Sequence, residues 1–276
     1  MSAISPQAYI HPNAKIGTDV TIQAFAYIDD GVEVGDGSII MSNAVLYSGT
    51  IVGKNTKIYP GAVIGADPQD LKYKGEPTKA IIGDNVLIRE FVTVNKGTKA
   101  YGKTIVGNNV LLMAYVHVAH DCHVKDNCII ANAVNLAGHV ILGSYVSIGG
   151  MTAIQQFVNI GDHTYITGGS LVRKNVPPYV KAAREPLSYV GVNRIGLERR
   201  GFSKERIDRI QDIYRILFIK GWSMSKALEH IDKAMPGSEE KTEIVEFIHK
   251  SENGLMRGFN SLISCLLYTS PSPRDS

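Results

Sequence analysis

Four histidines and an aspartate crowd one part of the chain, in His117-Val-Ala-His120-Asp121-Cys122-His123 and then His139. Near pH 7 an imidazole is largely neutral and can take a proton from a hydroxyl, while a neighbouring carboxylate orients the ring and stabilises the imidazolium that forms. General-base chemistry is therefore the first expectation for this stretch. The spacing His-x-x-His-x-x-His also invites a second reading, three imidazoles on a metal ion, as in a metal-dependent hydratase. Which reading holds depends on the elements that carry these side chains.

Those elements are legible as a repeat. Every sixth residue from Ile10 to Ile64 is Ile, Leu or Val. The pattern returns in phase at Ile82, Ile88 and Val94, then runs from Val106 to Val172, for 25 aliphatic positions in all. A period of six is neither the 3.6 of a helix nor a simple strand alternation, so each hexad is one short strand plus one corner. Three hexads make one triangular coil, and stacked coils bury an aliphatic ladder that no coil could bury alone. Nine of the aliphatic residues are followed directly by Gly, as at Gly17, Gly35 and Gly161, which suggests backbone angles that a side chain forbids.

The frame places the chemistry. Val118 and Leu136 point inward, so His120 lies two residues after an inward position, while Asp121 and His139 both lie three after one. Asp121 and His139 are 18 residues apart, one coil, and stack on the outside of the prism beside His120. His123 is one hexad after His117 and belongs to the next face, which argues against a shared metal; His11 and His163 read as structural or solvated. Cys122 and Cys128 occupy a small packing slot, so a thiol nucleophile is not expected.

The aliphatic ladder breaks twice, at 66–80 and 95–104, where polar, Gly- and Pro-containing stretches read as loops ejected from the coil. Rigidly held loops often carry binding residues. After Val172 the hexads stop and Pro177-Pro178 is expected to close the prism, giving a β-helical domain over 1–185. Helical spacing of Ile207, Ile210, Ile213, Tyr214 and Leu217, with Ser203 as N-cap, predicts a helix over 203–220, and further helices follow at about 223–235 and 238–250. A helical domain over 186–259 results, with a disordered or non-native tail over 260–276.

Composition excludes several classes. The 276 residues are 44% apolar with 27 Gly, which argues against disorder, and the net charge of +3 is too small to suggest nucleic acid. No apolar run approaches the ~20 residues that span a bilayer, and the N-terminus lacks the blocks of a signal peptide, so a cytoplasmic protein is expected. Three Cys make neither a disulfide framework nor a CxxC metal site.

The hexads resemble those of the hexapeptide-repeat acyltransferases, which form left-handed parallel β-helices and associate as trimers. Within that family, Pro-Gln-Asp-Leu-Lys-Tyr (68–73), His-Val-Ala-His-Asp-Cys (117–122), Leu-Ala-Gly-His (136–139), Gln-Phe (156–157), Gly-Val-Asn (191–193) and Arg-Arg-Gly-Phe (199–202) resemble the UDP-N-acetylglucosamine O-acyltransferases of lipid A biosynthesis. The resemblance implies transfer of a 3-hydroxyacyl chain from acyl carrier protein to the sugar 3-position. It implies His120 as general base, Asp121 as its partner and the Gly138 N–H as oxyanion donor, with no cofactor and no metal. His117 and His139 line the site; Asp70 and Lys72 lie near the sugar or acyl chain, Gln156, Asn193, Arg199 and Arg200 near the nucleotide, and Gly168 at the chain-length ruler, where it favours donors longer than ten carbons. Asn95 and Gln155 stand where the family often has histidine, which leaves open a 3-hydroxyl or a 3-amino acceptor. A metal hydratase of γ-carbonic-anhydrase type and a non-catalytic scaffold that binds carrier protein are the rival readings.

Overall fold

A computed structural model describes residues 3–258. Short parallel strands stack into three sheets, the faces of a triangular prism, with each strand pairing to its counterpart one coil away. His117–Val118 pairs with Asn135–Leu136, and His123–Val124 with Ile141–Leu142, each offset by one coil. Face I has nine strands and includes His117–Val118; face II has eight and includes His123–Val124; face III has twelve and includes Ile129–Ile130 and Tyr165–Ile166. The prism winds left-handed.

All the ladder positions are buried except Ile10 and Ile16 at the open N-terminal end, which are half-buried. Full burial of one such side chain contributes about 1.5–3 kcal/mol relative to exposure, so the stacked ladder dominates the energetics of the prism.

The corners have a different origin from the one the glycines suggested. The residue three places after most inward positions adopts positive φ, as at Asn55 (54°), Asp121 (59°) and His139 (62°); Asn13, Asp67, Gly97 and Asn175, at the first coil, the two excursions and the end of the ladder, do not. Asn and Asp tolerate this conformation best, and they fill many of these slots. Apart from Gly65, at φ 79°, the glycine directly after the inward residue answers a close approach instead. A Cβ on Gly35 would lie 2.6 Å from the Gly53 carbonyl carbon of the next coil.

The first excursion from the coil runs from 67 to 78, between Val63–Ala66 and Lys79–Ile82; the second runs from 96 to 102, between Thr93–Asn95 and Lys103–Val106. Stacking continues past the proline pair, because Val180–Ala183 adds a parallel strand beside Tyr165–Ile166 before Ser188–Val192 returns antiparallel. Proline removes an N–H only at its own position, and the strand resumes two residues later.

Among the described residues four helices follow: α1 (Arg194–Arg199), α2 (Lys204–Phe218), α3 (Met224–Ala234) and α4 (Glu239–His249). Ser203, Ser223 and Ser238 each cap a helix by accepting a backbone N–H from three residues on. The short α1 carries no apolar periodicity and was not expected from the sequence. The stretch 260–276 lies outside the described residues.

Candidate active site

His120 and Asp121 occupy the corner between faces I and II. The His120 Nδ1 lies 2.9 Å from Asp121 Oδ2, and the Asp121 side chain is wholly buried. An ionised carboxylate only accepts, so Nδ1 carries the proton and Nε2 is left with a lone pair. Asp121 is covered because the second excursion folds over it: Thr98 donates through its N–H to Oδ1 at 3.0 Å and through its hydroxyl to Oδ2 at 2.6 Å. The outer site expected from the repeat is thus outside the prism but closed to solvent.

Gly138 lies against the imidazole. A Cβ there would sit 2.5 Å from His120 Cε1 and 2.7 Å from Nε2, so only glycine fits. Its carbonyl accepts from Phe157 N, while its N–H makes no hydrogen bond within the described residues. An unengaged donor therefore stands beside the basic nitrogen.

His139 stacks on Phe157 at 4.6 Å, meets His120 edge-on at 5.2 Å and Tyr101 edge-on at 5.4 Å, and brings Nε2 to 3.7 Å from Asp121 Oδ2. Burial pushes its pKa down, opposed by the Asp121 charge and reinforced by His120. His117 hydrogen-bonds Thr93 Oγ1 at 2.7 Å, and burial, then His120, lowers its pKa also. Both rings are therefore favoured neutral. Asp70, in the first excursion, is close enough to act on His139 electrostatically; its carboxylate accepts from Lys72 N, and the Lys72 side chain is exposed.

Cys122 and Cys128 are fully buried, and burial pushes both thiols up to about 12, which suits packing and not nucleophilic attack. The metal reading meets a geometric obstacle. His120, Asp121 and His139 place ligand atoms within 4.8 Å of one another, but two donors about 2.0–2.1 Å from a tetrahedral zinc lie roughly 3.3 Å apart. The 2.9 Å His120–Asp121 separation is that of a hydrogen bond. His117 and His123 sit on different faces.

Asn193, Arg199 and Arg200 are elsewhere on the chain. They line a groove of about 730 Å³ with Ile129, Tyr165 and Lys181, on the outside of face III. Arg200 donates to the Tyr145 carbonyl at the corner between faces II and III, lies over the Tyr145 ring at 5.1 Å, and keeps a buried Nη1 without a partner. Within one chain these groups do not join His120. Gln156 is exposed on the corner next to Phe157, and Gly168 is exposed between faces III and I, where a Cβ would meet the Gly150 carbonyl oxygen at 3.0 Å.

Phe157 was missed in the sequence although it lies one coil after His139, a spacing that could have found it; Thr98, Tyr101 and Thr93 carry no such signal, because loop residues and cross-strand hydroxyls have no period. His163 also gains a role. Its ring is stacked between Tyr145 and Tyr179, meets Phe202 edge-on, and holds Nδ1 buried without a partner. Burial, then Arg200 and Arg206, lowers its pKa to about 4. The unfolded histidine binds its proton near 6.5, so between 6.5 and 4 the unfolded chain is the more protonated state. The contribution to stability is complete above 6.5 and is lost as the pH falls to 4. His163→Phe, which keeps the stack, should show a shallower fall of Tm between pH 6.5 and 4.5 than the parent; equal slopes would remove His163 from the account.

The family model described as UDP-N-acetylglucosamine O-acyltransferase, domain 2, matches residues 175–256. The bacterial transferase hexapeptide model matches 103–138, and a model of the GMPPB C-terminal domain matches 1–105. A relative from Stenotrophomonas maltophilia, an acyl-[acyl-carrier-protein]–UDP-N-acetylglucosamine O-acyltransferase, is 39% identical over 92% of this chain and 97% of its own length. The solved structure of the UDP-N-acetylglucosamine acyltransferase from Bacteroides fragilis is 50% identical, with a TM-score of 0.91 over 92% of this chain and 99% of that one. The Acinetobacter baumannii structure is 38% identical, with a TM-score of 0.88 over 92% of this chain and 99% of that one. These matches span both the prism and the helices, and the chain belongs to the UDP-N-acetylglucosamine O-acyltransferase family.

Proposed function

We propose that the protein transfers a 3-hydroxyacyl group from acyl carrier protein to the 3-position of UDP-N-acetylglucosamine, the first step of lipid A biosynthesis. The observation that carries this reading is the buried Asp121–His120 pair beside Gly138. The sugar hydroxyl attacks the thioester carbonyl carbon, and His120 Nε2 takes its proton. The Gly138 N–H donates to the oxygen that becomes negative, an effect often about 3 kcal/mol. The C–S bond then breaks, and the proton passes from His120 to the leaving thiolate. No covalent enzyme intermediate is needed.

A cytoplasmic location is part of this proposal; among the described residues no helix is long and apolar enough to cross a membrane. The unpartnered Nη1 of Arg200 and the exposed Arg199 suit a diphosphate. Product mass spectrometry with UDP-N-acetylglucosamine and 3-hydroxyacyl carrier proteins of varied length tests the reading. The expected product is a 3-O-acyl ester from a donor longer than ten carbons, the length Gly168 leaves room for; absence of any acylated sugar would refute the function. An amide product formed only with a 3-amino sugar would move the acceptor assignment and keep the transfer.

Separation of the base from Arg199 and Arg200 within one chain supports a homotrimer, in which the His120 corner of one protomer meets the groove of the next. Light scattering should report three chains. A sharper check coexpresses His120→Ala with the double variant Arg199→Ala/Arg200→Ala, each nearly inactive alone at low UDP-sugar. If sites form between protomers, random mixing restores about a quarter of the sites, since each needs one intact contribution from each neighbour. No recovery would place every catalytic group in a single chain.

A further inference from the structure

The Asp121 carboxylate has more than one partner, and the direction of every bond around it is fixed. Ala100 N–H donates to Thr98 Oγ1 at 3.2 Å. A backbone N–H can only donate, so the Thr98 hydroxyl is left to point its own proton at Asp121 Oδ2, 2.6 Å away. The same Oδ2 receives His120 Nδ1 at 2.9 Å, and Oδ1 receives Thr98 N at 3.0 Å. Asp121 N in turn donates to Thr104 Oγ1 at 2.8 Å, which holds the positive-φ corner in place.

The loop that delivers Thr98 is itself braced. Lys96 N donates to Ala66 O at 3.0 Å, Gly97 N to Lys79 O at 3.1 Å, and Lys79 N to Gly102 O at 2.9 Å. Lys96 Nζ pairs with Asp67 at 2.9 Å, and the buried Asn95 donates to Asp67 O at 2.9 Å. The second excursion is thus tied to the first on one side and to Asp121 on the other. Burial makes the bonds to Asp121 consequential, because a buried carboxylate that loses a donor is left partly unsolvated.

We infer that Thr98 is a positioning residue for the proton-accepting pair: its hydroxyl and amide hold Asp121 in the one orientation that keeps the His120 proton on Nδ1 and the basic lone pair on Nε2. The inference rests on His120 being the base. With both Thr98 donors in place, Asp121 Oδ2 is aimed at Nδ1. Without the hydroxyl, the carboxylate is free to turn toward His139 Nε2, now 3.7 Å away, and the imidazole of His120 loses its anchor.

The test compares Thr98→Val, which keeps the shape and removes the hydroxyl, with Thr98→Ser, which keeps both donors. Valine should lower kcat about tenfold to a hundredfold, the size expected for one hydrogen bond to a charged group. Serine should stay within about threefold of the parent. The KM for UDP-N-acetylglucosamine should be unchanged in both. The decisive reading is the double variant with Asp121→Asn: if Thr98 acts through the carboxylate, Thr98→Val adds no further loss there. Thr98→Ala carries the same comparison should valine unsettle the loop. A parent-like kcat in Thr98→Val, equal losses in Val and Ser, or a full additional loss on top of Asp121→Asn each overturns the inference. His120→Ala run in parallel separates the two levels. A collapse of His120→Ala with a normal Thr98→Val sinks Thr98 alone; a normal His120→Ala sinks the general base and Thr98 with it.

Discussion

His120→Ala should lower kcat by on the order of 10² to 10⁴-fold while leaving UDP-sugar binding nearly intact. The interaction removed is made in the transition state, when the hydroxyl proton moves to Nε2, and hardly in the ground state. Asp121→Asn should cost less, because the imidazole remains and loses only its orienting charge. Arg199→Ala should behave differently, raising KM through weaker nucleotide binding. Steady-state kinetics with calorimetric binding of the UDP-sugar separates these effects. Near-normal turnover in His120→Ala, or a defect that vanishes at saturating substrate, would falsify the assignment. His139 is then the leading alternative, since its Nε2 lies 3.7 Å from the same carboxylate, and its lowered pKa keeps it neutral.

Gly138→Ala should be nearly as damaging, through geometry alone. The added methyl would stand 2.5 Å from His120 Cε1, and the ring cannot retreat while Nδ1 stays on Asp121. Either the imidazole turns and breaks that 2.9 Å bond or the Gly138 backbone shifts and carries its N–H away from the developing oxyanion. A misplacement of about 1 Å at reacting groups is worth on the order of 10²-fold, so kcat should fall by at least that factor. A left-handed backbone does not enter, because Gly138 does not adopt positive φ. Tm should fall as well, because the methyl either strips a donor from the buried Asp121 carboxylate or displaces the backbone of the corner. Adding Asp121→Asn to Gly138→Ala should bring little further loss if the methyl has already broken the pair; an active Gly138→Ala enzyme would show that the imidazole has room that the structure denies it.

The repeat was enough to establish the prism, the identity of its inward ladder and the stacking of Asp121 and His139, because in a coil of three hexads without an ejected loop the neighbour in space is 18 residues away in sequence. The helices α2 to α4 were legible for a similar reason: their apolar spacing and serine caps are local. What the repeat could not supply is whatever depends on contacts of no fixed separation. That Asp121 is buried follows from Thr98, 23 residues back in a loop without a period. That Asn193, Arg199 and Arg200 sit on face III, apart from the corner that holds His120, follows from how the chain turns after Val180–Ala183 and docks α1 on Tyr145. The glycines after the ladder residues looked conformational in the sequence and, Gly65 with its positive φ apart, proved steric, since the distance between adjacent coils at Gly35 and Gly53 exists only once the coils are stacked. A one-dimensional period encodes one-dimensional packing; the burial of Asp121, and what holds its carboxylate, was left to the loops that fold back across the prism.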